Sequence, residues 1–230
     1  MILFVGCSFT WGAGLQFEHL IDNEEWTIEQ CNKLIPPKSF MEHLNYKSDV
    51  FRKENHFPNL VAKHFDKHYA LSNIGNGGDN KNIKFAINNL DKFIVHQEGK
   101  PNPIKLVVVQ FTEWTRVIDD TMETQVDKIV KSLGNTKWIG LSWRDDVAQY
   151  LKKIKPYNFC PIEYKGVQYD NFEELIDSPQ GCNNKSWSTD EKLTLYGKYE
   201  GKLNDDHFCK KGHKVISKSI IKKIKENNIF

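Results

Sequence analysis

The sequence lacks several patterns that would assign a protein to a class at once. Its five cysteines are scattered and form no CxxC pair, which disfavours a disulfide framework and favours reduced thiols. No apolar run approaches the ~20 residues that a membrane-spanning helix needs. The chain starts with an apolar, strand-like run in place of a leader segment, so we expect a cytoplasmic protein without a membrane span.

An excess of charge of one sign is also lacking. The 32 basic and 30 acidic residues leave a net charge of +2, so the composition gives no case for nucleic acid as a partner. Lysines do crowd the predicted C-terminal helix, where Ile216, Ile220 and Ile224 recur at i, i+4 and i+8. This spacing predicts that the helix packs along its apolar face and that its lysines are solvated.

Motifs for metal and nucleotide binding are missing as well. No HExxH occurs, and His64 and His68, although four residues apart, lie in a lysine-rich stretch typical of a solvated helix. We therefore expect no metal site. Neither GxGxxG nor GxxxxGK(S/T) is present, which disfavours nucleotide binding. Binding of a nucleotide by the Gly-rich turns of a flavodoxin-like or Rossmann-like fold stays open as an alternative.

What the chain does contain is an alternation of strand-like and helix-like segments, which predicts an α/β fold. The predicted strands are Ile2–Val5, Tyr69–Asn73 and Ile104–Phe111, and the predicted helices are Phe57–Phe65, Gln125–Leu133, Asp145–Ile154 and one marked by Ile83, Ile87, Leu90 and Ile94. We expect a single domain over residues 1–230. Its mainly parallel sheet should have helices on both faces, with Ile2–Val5 and Val107–Phe111 as central strands.

The segment over residues 155–202 breaks this alternation. Prolines, glycines and many aromatic residues are mixed there, which predicts an irregular, aromatic-rich insertion in the domain. Loops of this length are usually functional or disordered, and the aromatic content argues against disorder. The insertion is either a substrate-facing lid or partner surface, or a peripheral subdomain that only packs.

The strongest functional signal directly follows the first predicted strand, where the sequence reads Gly6-Cys7-Ser8. A buried parallel strand delivers the residues after it to the crevice where α/β folds bind ligands. Ser8 is therefore placed as a nucleophile would be, although a serine here also fits the N-cap of a following helix.

Two later segments supply partners for such a nucleophile. Asp205 and His207 lie just before the C-terminal helix, and a Ser, a His and a carboxylate can form a nucleophile, a base and an orienting acid in any chain order. Between the two ends, a Gly-rich turn over residues 73–80 follows a predicted strand. Such a turn can direct a backbone N–H at a developing oxyanion.

In this order the segments resemble the conserved blocks of the SGNH (GDSL-type) hydrolase family. The matching residues are Gly6-Cys7-Ser8, with Cys7 in place of the family's Asp, then Asn73 and Gly78-Asp79, and finally Asp205, His207 and Gly212-His213. The resemblance extends over nearly the whole chain and implies a three-layer α/β/α, flavodoxin-like architecture.

The resemblance implies a serine esterase that needs neither a metal nor an organic cofactor. Ser8 would attack the ester carbonyl, His207 would act as general base and then general acid, and Asp205 would hold the imidazole, with Asp206 as the alternative acid. The implied substrate is a small-molecule or carbohydrate ester with a small acyl group, often an O-acetyl group. We expect Trp11, Asn80 and Trp114 to contact it; the tryptophans would stack on a sugar unless they belong to the core.

The third block departs from the family because no Asn follows the strand that ends at Phe111. The expected oxyanion donors are the N–H groups of Ser8 and Gly78, supplemented by Thr112, Thr115 or Arg116. Loss of one such donor typically costs ~10²–10³ in turnover, so activity could survive the change. The alternative is a catalytically inactive SGNH-fold module that serves binding or structure in a larger assembly.

Overall fold

The first strand is apolar along its length and buried at every position, as expected for a strand covered on both faces. In the computed structural model it lies inside a sheet of four strands, and each neighbouring pair is parallel. The structure describes residues 1–34, 44–73, 80–90, 95–97, 100–117, 120–177 and 192–230.

The described elements follow one another as strands and helices along the chain. The strands are β1 (Ile2–Gly6), β2 (Tyr69–Asn73), β3 (Val95–Gln97), β4 (Lys100–Asn102), β5 (Leu106–Phe111), β6 (Trp138–Ser142), β7 (Ile162–Tyr164) and β8 (Val167–Tyr169). The helices are α1 (Ser8–Trp11), α2 (Leu15–Asp22), α3 (Ile28–Leu34), α4 (Tyr46–Asn55), α5 (Phe57–His64), α6 (Asn80–Ile87), α7 (Met122–Leu133), α8 (Asp145–Ile154), α9 (Phe172–Asp177), α10 (Leu195–Lys198) and α11 (Lys210–Glu226).

The parallel sheet has the strand order β2-β1-β5-β6, so β1 and β5 are its central strands, as predicted. Ile2 pairs with Tyr69 on one side and with Leu106 on the other, so the strands run side by side from the same end. The carboxyl ends of the strands therefore meet at one edge of the sheet, where ligands of open α/β folds bind.

Two hydrophobic clusters lie on opposite faces of this sheet because successive strand residues point to opposite sides. Ile2 and Phe4 pack in one cluster with residues of α5 and α11, including the predicted apolar stripe Ile216, Ile220 and Ile224. Leu3 and Val5 pack in the other cluster with residues of α6, α7 and α8. Helices thus cover both faces, an arrangement compatible with a three-layer α/β/α fold.

A third, smaller cluster joins the N-terminal helices to the segment just before α11. Phe17 of α2 and Cys31 of α3 pack there with Leu195, Leu203 and Cys209. The cluster fixes the chain around residue 207 against the chain around residue 17, and so sets the distance between the two ends that carry the predicted chemistry.

Several parts of the secondary structure differ from expectation. Helix α6 ends at Ile87, so Leu90 lies beyond it, and Ile94 lies outside the described residues. Strand β6 was not predicted, because Gly140 and Ser142 interrupt its short apolar run. The segment 155–202 is less irregular than predicted, because its described part forms β7, β8, α9 and α10. Tyr169 and Phe172 of this segment belong to the hydrophobic cluster that packs on β1, so the described part is integral to the core.

The sequence also led us to expect reduced cysteines and no membrane-spanning helix. Cys7, Cys31, Cys160 and Cys209 are buried and not disulfide-bonded, and Cys182 lies outside the described residues. In the part of the chain that the structure describes, no helix combines the length and the apolar character needed to cross a bilayer.

Candidate active site

Ser8 is the first residue of α1, a single helical turn that begins two residues after β1 ends. The turn folds back over the end of the strand because residue 6 is a glycine. A Cβ at Gly6 would lie 2.1 Å from Thr10 Oγ1 and 2.9 Å from Gln110 Oε1, so a side chain there would displace both groups. The absence of a side chain at Gly6 thus allows the Ser8 turn to sit directly on the sheet.

Gln110, near the end of β5, holds the beginning of this turn. Its Oε1 accepts hydrogen bonds from the Cys7 N–H at 3.3 Å, the Cys7 thiol at 3.2 Å and the Thr10 hydroxyl at 2.8 Å. Sequence reasoning missed this residue. The signal was a polar side chain within an apolar strand, where burial requires a hydrogen-bond partner.

The other end of the turn closes on glycine. Gly12 is the C-cap of α1 with a φ of 85°, in the left-handed region that favours glycine. The Ser8 carbonyl accepts hydrogen bonds from the N–H groups of Gly12 and Ala13 at 3.1 and 3.0 Å. The backbone around Ser8 is therefore tied at both ends of one helical turn.

His207 and Asp205 lie in the segment that leads into α11. Backbone hydrogen bonds join this segment to the start of α10: the Leu195 N–H donates to the His207 carbonyl at 2.9 Å, and the Tyr196 N–H to the Asp205 carbonyl at 2.7 Å. Asp205 is 3% exposed, whereas His207 is partly exposed. The Asp205 carboxylate is thus shielded from solvent, and the imidazole of His207 lies between it and the surface.

The structure brings Ser8, His207 and Asp205 together. His207 Nε2 lies 2.8 Å from Ser8 Oγ, and His207 Nδ1 lies 2.5 Å from Asp205 Oδ1. Because an ionised carboxylate only accepts hydrogen bonds, Nδ1 carries the proton of the neutral ring and Nε2 is free to accept from the Ser8 hydroxyl. Phe9 packs against the imidazole with ring centroids 4.5 Å apart and supports its orientation.

The carboxylate that contacts His207 Nδ1 is that of Asp205, and the neighbouring Asp206 is exposed. Space at this point is made by Gly14, for which the sequence predicted no specific role. A Cβ at Gly14 would lie 3.1 Å from Asp205 Oδ2 and 3.1 Å from His207 Cβ, and its φ of 89° is strained for other residues. Gly14 therefore lets the Asp205–His207 segment approach the Ser8 turn.

His213, which belongs to the last matching block, has a structural environment. It is fully buried on α11, and its Nδ1 accepts a hydrogen bond from the Phe57 N–H at 3.3 Å. Burial lowers the pKa of His213 well below its usual value, and the nearby His56 and His207 lower it further. His213 is therefore a neutral core residue that packs beside the site.

The predicted oxyanion donors are placed differently from one another. The Ser8 N–H is in the first turn of α1, where N–H groups have no intrahelical acceptor. Gly78 lies outside the described residues, as does the side chain of Arg116. Thr112 is buried, and both its N–H and its hydroxyl are directed at Asn80 Oδ1, at 3.2 and 3.4 Å. Thr115 is exposed on a 3₁₀ turn after β5.

Asn80, which we expected to contact substrate, is buried and hydrogen-bonded within the fold. It is 2% exposed, its Oδ1 accepts from Thr112, and its Nδ2 donates to Gln125 Oε1 at 3.0 Å. Gln125, in α7, in turn donates to backbone carbonyls of the segment between β5 and α7, including that of Trp114 at 2.9 Å. Asn80 thus joins α6 to the chain that follows β5.

The two tryptophans expected to contact substrate each have an intramolecular partner. The Arg52 guanidinium lies over the Trp11 ring, 3.8 Å from its centroid. The Trp114 indole N–H donates to Asp146 Oδ2 at 2.7 Å, and its ring packs against the cluster on the α7 side of the sheet. One face of Trp11 is therefore covered, and the polar atom of Trp114 is already bonded.

The described ranges bring no three His, Cys, Asp or Glu side chains together in a group that could hold a metal ion.

In comparisons with known proteins, the chain matches no family model, no curated protein and no solved structure. The geometry around Ser8 is therefore the observation from which a function can be inferred.

Proposed function

We propose that the protein is a serine esterase of the SGNH type that hydrolyses an ester with a small acyl group. The observation that supports this function is the continuous hydrogen-bonded chain from Ser8 Oγ through His207 to Asp205 Oδ1. A hydroxyl, an imidazole and a carboxylate in this order form a nucleophile, a general base and an orienting acid. Their position just beyond β1, at the carboxyl edge of the sheet, agrees with the usual location of α/β sites.

The first half of the reaction would be acyl transfer to Ser8. His207 Nε2 accepts the hydroxyl proton as Oγ bonds to the ester carbonyl carbon, and the carbonyl π electrons move onto the oxygen. When the tetrahedral intermediate collapses, the bond to the leaving alcohol breaks and His207 protonates that alcohol. Asp205 keeps Nδ1 protonated and stabilises the transient imidazolium.

The second half would release the acid. A water molecule takes the place of the alcohol, His207 accepts its proton, and the hydroxide oxygen bonds to the acyl carbon. Collapse of this second intermediate breaks the bond to Ser8 Oγ, which regains its proton from His207. No step needs a metal or an organic cofactor.

The developing oxyanion would be bound by the N–H groups of Ser8 and Gly78. Thr115 and Arg116 are the candidates for a third donor. Thr112 is the weaker candidate, because its hydroxyl and its N–H already face Asn80. A site with two donors in place of three would turn over more slowly, by ~10²–10³.

The substrate class that the family resemblance implies is a small-molecule or carbohydrate ester, often with an O-acetyl group.

The proposal includes a flavodoxin-like three-layer architecture. In favour of it, the order β2-β1-β5-β6 corresponds to the first four strands of the flavodoxin order 2-1-3-4-5. A parallel bridge between Gly140 and Phe159 lies where a fifth strand would pair.

A second candidate is an inactive SGNH-fold module that binds a ligand or serves a structural role in an assembly. The engagement of Thr112 with Asn80 favours it, because this removes one expected oxyanion donor. The two candidates differ in the reactivity of Ser8, since an activated serine is phosphonylated and an inactive one is not.

The deciding experiment is incubation with a fluorophosphonate, read by intact mass and by peptide mapping, alongside p-nitrophenyl acetate hydrolysis. The esterase should gain one adduct on Ser8 and hydrolyse the ester, and Ser8→Ala should do neither. Wild-type protein with no adduct and no turnover of short acyl esters would overturn the esterase and leave the inactive module.

A further inference from the structure

The carbonyl of Trp11, at the end of the Ser8 turn, accepts hydrogen bonds from two buried side chains. Arg52 Nη1 lies 3.0 Å from this oxygen and His56 Nδ1 lies 3.1 Å from it. Both side chains come from a part of the chain outside every matching block, and neither contacts Ser8, His207 or Asp205 through a described hydrogen bond. Two donors on one carbonyl of a four-residue helix fix that end of the helix firmly.

Arg52 is held rigidly while it makes this contact. It is 3% exposed, and its Nε and Nη2 both donate to Asp49 Oδ1, at 3.2 and 2.7 Å. Lys53 Nζ lies 2.6 Å from the second oxygen of the same carboxylate. The guanidinium carbon also lies 3.8 Å from the centroid of the Trp11 ring. The Asp49 carboxylate thus pairs the charge of the guanidinium, and these contacts together fix its orientation.

His56 is held by equally specific contacts. It is fully buried, and because a carbonyl oxygen only accepts, its Nδ1 must donate to Trp11. Its Nε2 then accepts a hydrogen bond from the Tyr69 hydroxyl of β2 at 3.0 Å. Burial lowers the pKa of His56 to about 3, so the ring is neutral near pH 7 and keeps this arrangement.

We propose that Arg52 and His56 are positioning residues for Ser8, and this rests on the proposed esterase function. Gln110 holds the first end of α1 through Cys7 and Thr10, and the Arg52–His56 pair holds the last end through Trp11. In a helix of one turn, the two ends determine where Ser8 Oγ lies. Loss of either hold lets the turn shift, and a displacement of ~1 Å from productive geometry costs on the order of 10²-fold in rate.

Substitutions at His56 separate its two ring nitrogens. In His56→Asn the side-chain amide nitrogen reaches the place of Nδ1 and can still donate to Trp11. In His56→Gln the longer amide reaches the place of Nε2, beside Tyr69, and the Trp11 bond is lost. The matched control is His64→Gln, the same substitution at an exposed histidine of α5. Arg52→Lys keeps the charge of Arg52 but loses its planar fork and serves as a second, independent variant.

The measurement is the rate constant and the final extent of Ser8 phosphonylation by a fluorophosphonate, followed by intact mass well below the unfolding temperature. A residue that only supports folding changes the fraction of molecules that can be labelled; a positioning residue changes the rate for folded molecules. We expect His56→Gln and Arg52→Lys to label to the full extent at rates about 10- to 100-fold lower. His56→Asn should recover most of the wild-type rate, and His64→Gln should equal it.

Wild-type rates in both His56→Gln and Arg52→Lys would overturn the positioning role and leave the esterase standing. So would a lower labelled fraction at an unchanged rate, because that is the behaviour of a purely structural residue. If His56→Gln does not fold, the rate in Arg52→Lys decides in the same way. Wild-type protein that is never labelled at Ser8 overturns the esterase, and the positioning role with it.

Discussion

Asp205 binds His207 through two hydrogen bonds to a single carboxylate oxygen. Oδ1 accepts from the His207 backbone N–H at 2.9 Å and lies 2.5 Å from His207 Nδ1. Because the two residues are only two positions apart, the carboxylate orients both the backbone and the ring of the histidine within one local turn. The imidazole is therefore oriented before any contact with the distant Ser8 is considered.

This relationship predicts which aspartate matters. Asp205→Asn should lower the hydrolysis of p-nitrophenyl acetate by about 10³-fold or more, because an amide can also donate to Nδ1 and then favours the wrong tautomer. Asp206→Asn, the same change at the exposed neighbour, should stay within about threefold of wild type. Steady-state kcat/KM for the two variants checks this, and equal losses would contradict the assignment of Asp205.

Ser8 and His207 should behave as one catalytic unit. Ser8→Ala and His207→Ala should each lower kcat by on the order of 10⁴ or more, and the double variant should be little slower than either single one. Independent losses that multiply in the double variant would show that the 2.8 Å contact is not used in the reaction. Circular dichroism of all three variants controls for folding.

Gly6→Ala should destabilise the protein by about 1–3 kcal/mol, because the added Cβ overlaps Thr10 Oγ1 at 2.1 Å. Removing the obstructing hydroxyl should relieve part of this strain, so Gly6→Ala combined with Thr10→Ala should cost less than the two changes added together. Urea unfolding of the four proteins measures this. A Gly6→Ala variant as stable as wild type would contradict the packing of α1 on β1.

The two buried histidines predict that the protein becomes less stable as the pH is lowered. In the folded state burial lowers the pKa of His56 to about 3 and that of His213 well below its usual value, whereas both have ordinary values when unfolded. Between those values the unfolded chain binds protons that the folded chain does not. The free energy of unfolding should therefore fall as pH drops below about 6.5, by up to about 1.4 kcal/mol per pH unit for each group.

Urea unfolding at pH 7.5, 6.5 and 5.5 tests this dependence. His56→Asn should show a shallower fall than wild type, and the exposed His64→Gln should keep the wild-type fall. The Asp49 carboxylate does not interfere. Burial raises its pKa, but Lys53 and Arg52 outweigh burial and hold the pKa below the usual 3.8, outside this range. Identical curves for wild type and His56→Asn would show that His56 is not buried as described.

The buried thiols should be unreactive in the folded protein. Burial raises the pKa of Cys31 to about 11 and that of Cys160 and Cys209 to about 12, and only the thiolate attacks disulfide reagents or alkylating agents. At pH 8 these three cysteines should stay unmodified by iodoacetamide over minutes, while all five cysteines react in guanidinium chloride. Rapid native modification of Cys160, located by peptide mapping, would contradict the packing of that face.

Patterns that repeat over a few residues were enough to predict several features of this protein. Strands β1, β2 and β5 follow from strand-like runs, α5, α7 and α8 from helix-like segments, and α11 from helical spacing. The place of Ser8 after β1 follows from the strand, and the Asp205–His207 contact joins residues two positions apart. In each case the interacting groups are neighbours in the chain, so local geometry determines them.

The remaining features depend on how the chain closes on itself. Thr10 and Gln110 are 100 positions apart, and Trp11 is 41 positions from Arg52, so no local spacing predicts these contacts. The same holds for Asn80, whose amide is bound to Thr112 and Gln125 only because three elements meet there. The sequence alone therefore identified the groups that could do chemistry. The tertiary structure decided which of them meet and which are committed to holding the fold, because a polar group that becomes buried must find its hydrogen-bond partner wherever folding places one.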